Sequence, residues 1–282
     1  MTLRSRAGDV RRKILSAVYQ RTVALGKIGP VVTFTFDDFP RSALTVGAEI
    51  LESVGARATY YVDMSLMNTT NSLGEQFREE DLFSLLDRGH ELGSHTFSHL
   101  SARHADPDVF MRDAEKGVEA IREKLGLGIS GNFAYPYGDV TTGVKRRLGA
   151  RLTSCRGTTG GLNGPDVDLN LLRANSLYGD LERGEAAKRM ILENERLGGW
   201  LIFYSHDVAA RPSRFGCSPQ LLKEVCSFAA SRGVPFMTVA GVIRELGQQP
   251  GLALERNLLA GNRTHSQLPM PYSDELRGDI CG

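Results

Sequence analysis

Asp37 and Asp38 stand side by side at the end of the run Val31-Val32-Thr33-Phe34-Thr35-Phe36, and further along the chain comes His95-Thr96-Phe97-Ser98-His99. One carboxylate and two imidazoles supply one oxygen and two nitrogen ligands for a divalent metal. Three protein ligands with an open fourth position describe a catalytic rather than a structural metal site. Adjacent carboxylates repel each other unless a positive charge sits beside them; a metal on one, with the other left as a base, resolves the clash and creates two roles. A histidine pair taken alone is a weak signal. On one helical turn, however, residues four apart share a face, so both imidazoles are expected to point at one ion.

Two later segments add groups of the same kind. His206 closes Trp200-Leu201-Ile202-Phe203-Tyr204-Ser205-His206, and an imidazole at the end of a buried strand suits a general acid that protonates a leaving amine. Without the other motifs the segment reads slightly better as a core histidine bonded to backbone. Phe133-Ala134-Tyr135-Pro136-Tyr137-Gly138 is an aromatic, proline-stiffened strand end. There Tyr137 is placed either to wall a sugar pocket, with its backbone N–H facing an oxyanion, or simply to pack a corner.

The elements needed to position these groups are readable as an alternation of short apolar or β-branched runs with longer helical patterns, which argues for repeated β-α units. Strands are expected at 31–36, 58–62, 91–95, 132–135, 152–154, 173–177, 200–205 and 236–239. Helices are expected at 42–53, 79–88, 107–125, 144–148, 182–196, 219–232 and 242–246. Glycines make 156–165 a loop over the active face. In a barrel of such units, catalytic groups gather at the C-terminal ends of the strands. Asp37, Asp38, His95, His99, Tyr137 and His206 all follow strand candidates, so they are expected at one mouth.

Composition narrows the function classes. The chain has 282 residues with 34 Lys+Arg against 33 Asp+Glu, a net charge of +1, which does not indicate a general affinity for nucleic acid. Cys155, Cys217, Cys226 and Cys281 lack CxxC spacing and are read as reduced thiols. Arg4, Arg6, Arg11, Arg12 and Lys13 precede a short apolar stretch. Residues 1–28 are therefore read as a basic amphipathic helix that packs on the domain, the alternative being contact with anionic lipid at the cytoplasmic leaflet. Residues 29–247 form the domain, and 248–282 an extension draped on it or partly disordered. A cytoplasmic location, with possible membrane association, is the expectation.

Thr35-Phe36-Asp37-Asp38, His95-Thr96-Phe97-Ser98-His99, Phe133–Gly138 and Tyr204-Ser205-His206 resemble, in order, the successive motifs of the polysaccharide deacetylase (NodB-homology, carbohydrate esterase) family. The resemblance implies an α/β fold, a distorted (β/α)7 TIM-like barrel, so that one of the eight strand candidates is not a stave. It implies metal-dependent removal of N-acetyl groups from amino sugars, with a metal-bound water as nucleophile. By motif, Asp37 is the base and Asp38, His95 and His99 bind the metal, usually Zn2+, with Co2+ or Ni2+ as alternatives. His206 is the acid, and Tyr137 helps hold the tetrahedral intermediate.

Three departures stand out. The arginine usual before the Pro-Tyr pair, which pairs with the base, is replaced within Ala134-Tyr135, and Arg173 is the expected substitute. The Asp-Trp motif that supplies the acid histidine's partner is absent, leaving Asp166 or Asp168 as candidates. Tyr204 replaces a leucine and narrows or polarises the acyl pocket. The expected partner is an N-acetylated sugar, an oligosaccharide or a lipid-linked glycan precursor. Alternatives are a deformylase or other non-peptide amide hydrolase acting on a lipid-linked sugar, and a catalytically weak carbohydrate-binding protein.

Overall fold

A computed structural model of the chain describes residues 13–126 and 131–247. Seven parallel strands form its central sheet: β1 (Val31–Asp38), β2 (Ala58–Val62), β3 (Glu91–Ser94), β4 (Asn132–Ala134), β5 (Ser154–Arg156), β6 (Asn175–Ser176) and β7 (Trp200–Ser205). Their order is β6-β7-β1-β2-β3-β4-β5. The sheet curls into the expected distorted barrel, with helices packed outside. The covering helices are α1 (Glu49–Glu52), continuing the helical turn Ala43–Ala48, then α2 (Glu79–Asp87), α3 (Pro107–Leu125), α4 (Thr142–Gly149), α5 (Gly184–Leu197), α6 (Pro219–Ser231) and α7 (Val239–Gly247).

Strand alternation assigns the two faces of β1. Phe34 and Phe36 point outward and pack with Leu44, Leu51, Leu221 and Val225 of the surrounding helices. Thr33, Thr35 and Asp37 therefore line the inside of the curl. Thr33 Oγ1 there receives the Trp200 indole N–H at 2.8 Å and donates to the Met237 carbonyl at 2.7 Å.

The strand candidate 236–239 is the one that is not a stave. Phe236 makes a single parallel bridge to Val32, and the chain turns helical at Val239. The start of α7 closes the N-terminal end of the barrel, because Val239 N–H donates to Thr59 Oγ1 (3.0 Å) and Ala240 N–H to Glu91 Oε2 (2.8 Å). Thr59 Oγ1 and Asn132 Nδ2 donate to the same carboxylate, and Ser154 Oγ donates to Asn132 Oδ1. A carboxylate is well placed against the positive end of a helix dipole. This polar floor holds the staves together at the end opposite the mouth.

The N-terminal segment differs from the single helix expected over 1–28. Residues 13–17 are helical and bury Leu15 against Phe110, Val144 and Leu148, but Thr22–Ala24 is a strand paired antiparallel with Asp166–Asp168. The fully buried Lys145 ties the two together, donating to the Leu15 carbonyl (2.7 Å) and to Asp168 (2.6 Å). Residues 1–12 and the extension 248–282, with Cys281, lie outside the described residues. No described helix is long and apolar enough to cross a membrane. Cys155, Cys217 and Cys226 are free and buried, and burial pushes their thiols up to about 12, 12 and 11.

Candidate functional site

Asp37 and Asp38 are neighbours in sequence, so strand alternation alone would send them to opposite faces of β1. A left-handed turn intervenes: φ is 64° at Asp38 and 67° at Phe39. It swings the Asp38 carboxylate over the mouth while Asp37 stays inside the curl. Of the seven non-glycine residues with positive φ among those described, five are Asp38, Phe39, Thr96, His99 and Tyr137. Such conformations are costly and persist where packing over-determines them, typically at functional sites.

His95 and His99 do not share a helical turn as expected. They lie on the irregular loop after β3, and Thr96 and His99 there have left-handed backbone. The loop is clamped by Asp113 of α3: Phe97 N–H and Ser98 N–H donate to Oδ2 (3.2 and 3.1 Å), and Ser98 Oγ to Oδ1 (2.7 Å). Gly117, one turn further along α3, lies so close that a side chain there would collide with the Thr96 backbone. The loop carries both imidazoles to one point with no help from helical spacing.

That point is beside Asp38. His99 Nε2 is 3.2 Å and His95 Nε2 3.6 Å from Asp38 Oδ1, and His206 Nε2 is 4.0 Å from Asp38 Oδ2. Asp38 Oδ1 is buried and lacks a hydrogen bond of good geometry. His95 Nδ1–H donates to the Ala134 carbonyl at 2.8 Å, which turns the Nε2 lone pair toward Asp38. Ligands about 2.0–2.2 Å from a tetrahedral ion stand roughly 3.3–3.6 Å apart, so Asp38, His95 and His99 fit a metal of the zinc type.

The electrostatics agree with that fit. Burial, helped by the neighbouring His99, pulls His95 down to about 4, leaving it neutral and able to ligate. Burial works against ionised Asp38, yet the contacts with His99, His95 and His206 outweigh it and hold the carboxyl below its usual range. His99 is raised because Asp38 more than offsets its burial.

Asp37 is held by a different arginine from the one expected. Arg156, the last residue of β5 and fully buried, sets Nη2 2.5 and 2.6 Å from the two Asp37 oxygens. Its guanidinium lies between the Tyr61 and Tyr204 rings, 5.1 Å from each centroid. Arg173 instead donates to the Gly160 carbonyl at 3.0 Å and is exposed. The glycines after Arg156 give 156–165 the composition of a loop and mask a strand-end residue, the same kind of position that carries the other candidates.

His206 also has a different partner from those expected. Asp168 is engaged by Lys145 and by the Arg21 N–H, and Asp166 lies on the exposed edge of the antiparallel pair. His206 Nδ1–H donates to the Phe215 carbonyl at 3.2 Å, which leaves Nε2 facing Asp38. Tyr178 packs beside it, with ring centroids 5.9 Å from His206 and 5.4 Å from Tyr204. Tyr137 stands on the opposite rim, 66% exposed, edge-on to His99 at 4.4 Å. Sequence reasoning missed Arg156, Asp113, Tyr178 and the Phe215 carbonyl; Asp113 carries no sequence signal at all.

The mouth of this parallel α/β barrel thus combines a candidate Asp-His-His metal set with a buried carboxylate and an imidazole. Residues 26–152, a stretch that includes Asp37, Asp38, His95, His99 and Tyr137, match the family model described as polysaccharide deacetylase. Similar solved structures include the chitin deacetylase of Colletotrichum lindemuthianum (19% identity, 79% of this chain and 89% of that one, TM-score 0.55). They include a family 4 acetyl xylan esterase of Clostridium thermocellum in complex with a cobalt ion (19% identity, 76% and 91%, TM-score 0.52). A third is the esterase domain of a multidomain xylanase from the hindgut metagenome of Trinervitermes trinervoides (18% identity, 79% and 93%, TM-score 0.51). At these identities the likeness concerns the fold. No curated protein matches the sequence.

Proposed function

We propose that the chain is a metal-dependent hydrolase that removes an N-acetyl group from an amino sugar or glycan. The observation that carries this reading is the convergence of Asp38, His95 and His99 on one point, with Asp37 and His206 on either side. Zinc suits the donor set, with cobalt or nickel as alternatives. A divalent ion in such a site polarises the acyl oxygen and makes water more acidic. Asp37 takes the proton of the attacking water as the new O–C bond forms. As the C–N bond breaks, His206 supplies a proton from Nε2 to the departing nitrogen, giving a free amine and acetate. Tyr137, exposed on the rim, flanks the sugar.

Several observations bear on the competing readings. Arg156 on Asp37 supports catalysis over a lectin-like protein, since a binding surface has no need of a buried, charge-paired carboxylate beside a metal set. The second reading is release of a formyl group from a lipid-linked sugar. The basic stretch Arg4–Lys13 fits contact with an anionic membrane surface, and the free, buried thiols fit a cytoplasmic location. The test is acetate and formate release from N-acetylated and N-formylated sugars by zinc-loaded protein, with Asp37→Asn as control. Sugar binding with neither acid released by the wild type would reject hydrolysis.

A further inference from the structure

His206 is oriented by a peptide carbonyl rather than a carboxylate, so whatever holds that peptide holds the imidazole. The peptide belongs to the turn between His206 and Cys217, and the hydrogen bonds of this turn converge on Asp207. Buried Asp207 accepts the Ser213 N–H at Oδ2 (2.8 Å) and the Ser213 hydroxyl at Oδ1 (2.5 Å). Ser213 Oγ in turn accepts the Phe215 N–H (3.1 Å), and the Ser213 carbonyl accepts the Gly216 N–H (3.1 Å). The Asp207 carbonyl receives the Cys217 N–H at 2.9 Å and closes the turn. The peptides on both sides of Phe215 are thus tied to Ser213, and Ser213 is tied to Asp207. Gly216 packs so closely on Asp207 that a side chain there would collide with it.

We infer that Asp207 and Ser213 are positioning residues: through the turn they aim the Phe215 carbonyl at His206 Nδ1 and so present Nε2 to the departing nitrogen. The inference rests on the reading of His206 as the general acid. A backbone carbonyl accepts the Nδ1 proton whether the imidazole is neutral or charged. The ring therefore keeps one orientation before and after it gives up its Nε2 proton. The Asp207 carboxylate bonds to Ser213 and not to His206, so it acts on the imidazole through the turn.

Leaving-group dependence separates this role from general structural damage. A sugar amine must be protonated to leave, whereas the phenolate of 4-nitrophenyl acetate needs no acid. In the zinc-loaded full chain, Ser213→Ala and Asp207→Ala should lower kcat for N-acetylated chitooligosaccharide by about 10²-fold with little change in KM. Their turnover of the aryl ester should stay near wild type, Ser213→Thr should restore amide turnover, and His206→Ala should show the same split. If His206→Ala shows it and both turn variants retain wild-type amide turnover, the inference fails while the acid role stands. Equal losses on amide and ester in the turn variants would also overturn it. Absence of the split in His206→Ala would overturn the acid role and this inference together. A readout independent of turnover is the His206 Nδ1 proton in NMR spectra. It should be slow to exchange in wild type and Ser213→Thr and lost in Ser213→Ala; persistence in Ser213→Ala overturns the inference.

Discussion

Arg156 and Ala134 are direct partners on neighbouring strands β5 and β4, and the arginine that grips Asp37 is supplied from the β5 side of that pair. Gly93, on the strand beyond β4, packs so closely on the Tyr61 ring that a side chain there would collide with it, and the Arg156 guanidinium lies 5.1 Å from the centroid of that same ring. The family pattern puts the arginine before the Pro-Tyr pair, within the segment where Ala134 stands. Removing one member of a buried ion pair strands the other charge, which typically costs about 3–5 kcal/mol. Arg156→Ala should therefore lower the urea midpoint markedly and cut kcat, while zinc still binds. Ala134→Arg in that background returns a guanidinium to the adjacent register position and should recover part of both. Wild-type stability and turnover in Arg156→Ala would show that the pair is incidental.

The metal set makes a separate prediction that needs no substrate. Zinc that binds only the folded chain stabilises it by mass action, by about 2.7 kcal/mol when free metal exceeds Kd a hundredfold. Adding zinc to chelator-stripped protein should raise the melting temperature, and Asp38→Ala or His95→Ala should remove most of that rise. An unchanged rise in Asp38→Ala would move the metal elsewhere.

Much of this site could be read from residue types at strand ends, because apolar runs such as Val31–Phe36 and Trp200–Ser205 declare buried parallel strands directly. Where reading failed, the cause was local geometry that no periodicity reports. The three-residue strand β5 is too short to show alternation, and the glycines that follow it masked Arg156. His95 and His99 converge through left-handed backbone at Thr96 and His99, not through the helical spacing their separation suggests. The segment 236–239 has strand composition but reaches the sheet with one bridge before the floor network turns it into α7.

His90 offers a test of the scaffold by pH. Its Nδ1 accepts the Ala58 N–H at 3.0 Å and its Nε2–H donates to Glu52 at 2.8 Å, so it staples β2 to the outer helices while neutral. Burial lowers its pKa from 6.5 despite the opposing pull of Glu52. The unfolded chain therefore takes up this proton first as pH falls. The contribution is whole above pH 6.5 and is lost progressively below it. The drop in urea midpoint from pH 7.5 to 5.5 should be smaller in His90→Gln than in wild type. Equal drops would show that His90 does not couple to folding.

The clamp on the histidine loop predicts a loss of metal affinity from residues that never touch metal. Asp113 receives two backbone N–H groups and a hydroxyl from Phe97 and Ser98, two of the three residues between His95 and His99. Groups that orient ligands in this way typically contribute 10–100-fold in metal affinity. Asp113→Ala releases the loop, whereas Gly117→Ala pushes it, because the new methyl would meet the Thr96 backbone. Opposite physical insults should thus give the same phenotype: zinc affinity lower by about 10–100-fold with the helix signal in circular dichroism preserved. Asp113→Asn keeps one acceptor and should fall between Asp113→Ala and wild type. If zinc affinity in both Asp113→Ala and Gly117→Ala matches wild type, neither the Asp113 carboxylate nor the close approach at Gly117 shapes the site, and the Phe97 N–H bond to the Asp113 carbonyl (3.1 Å) is enough to hold the loop.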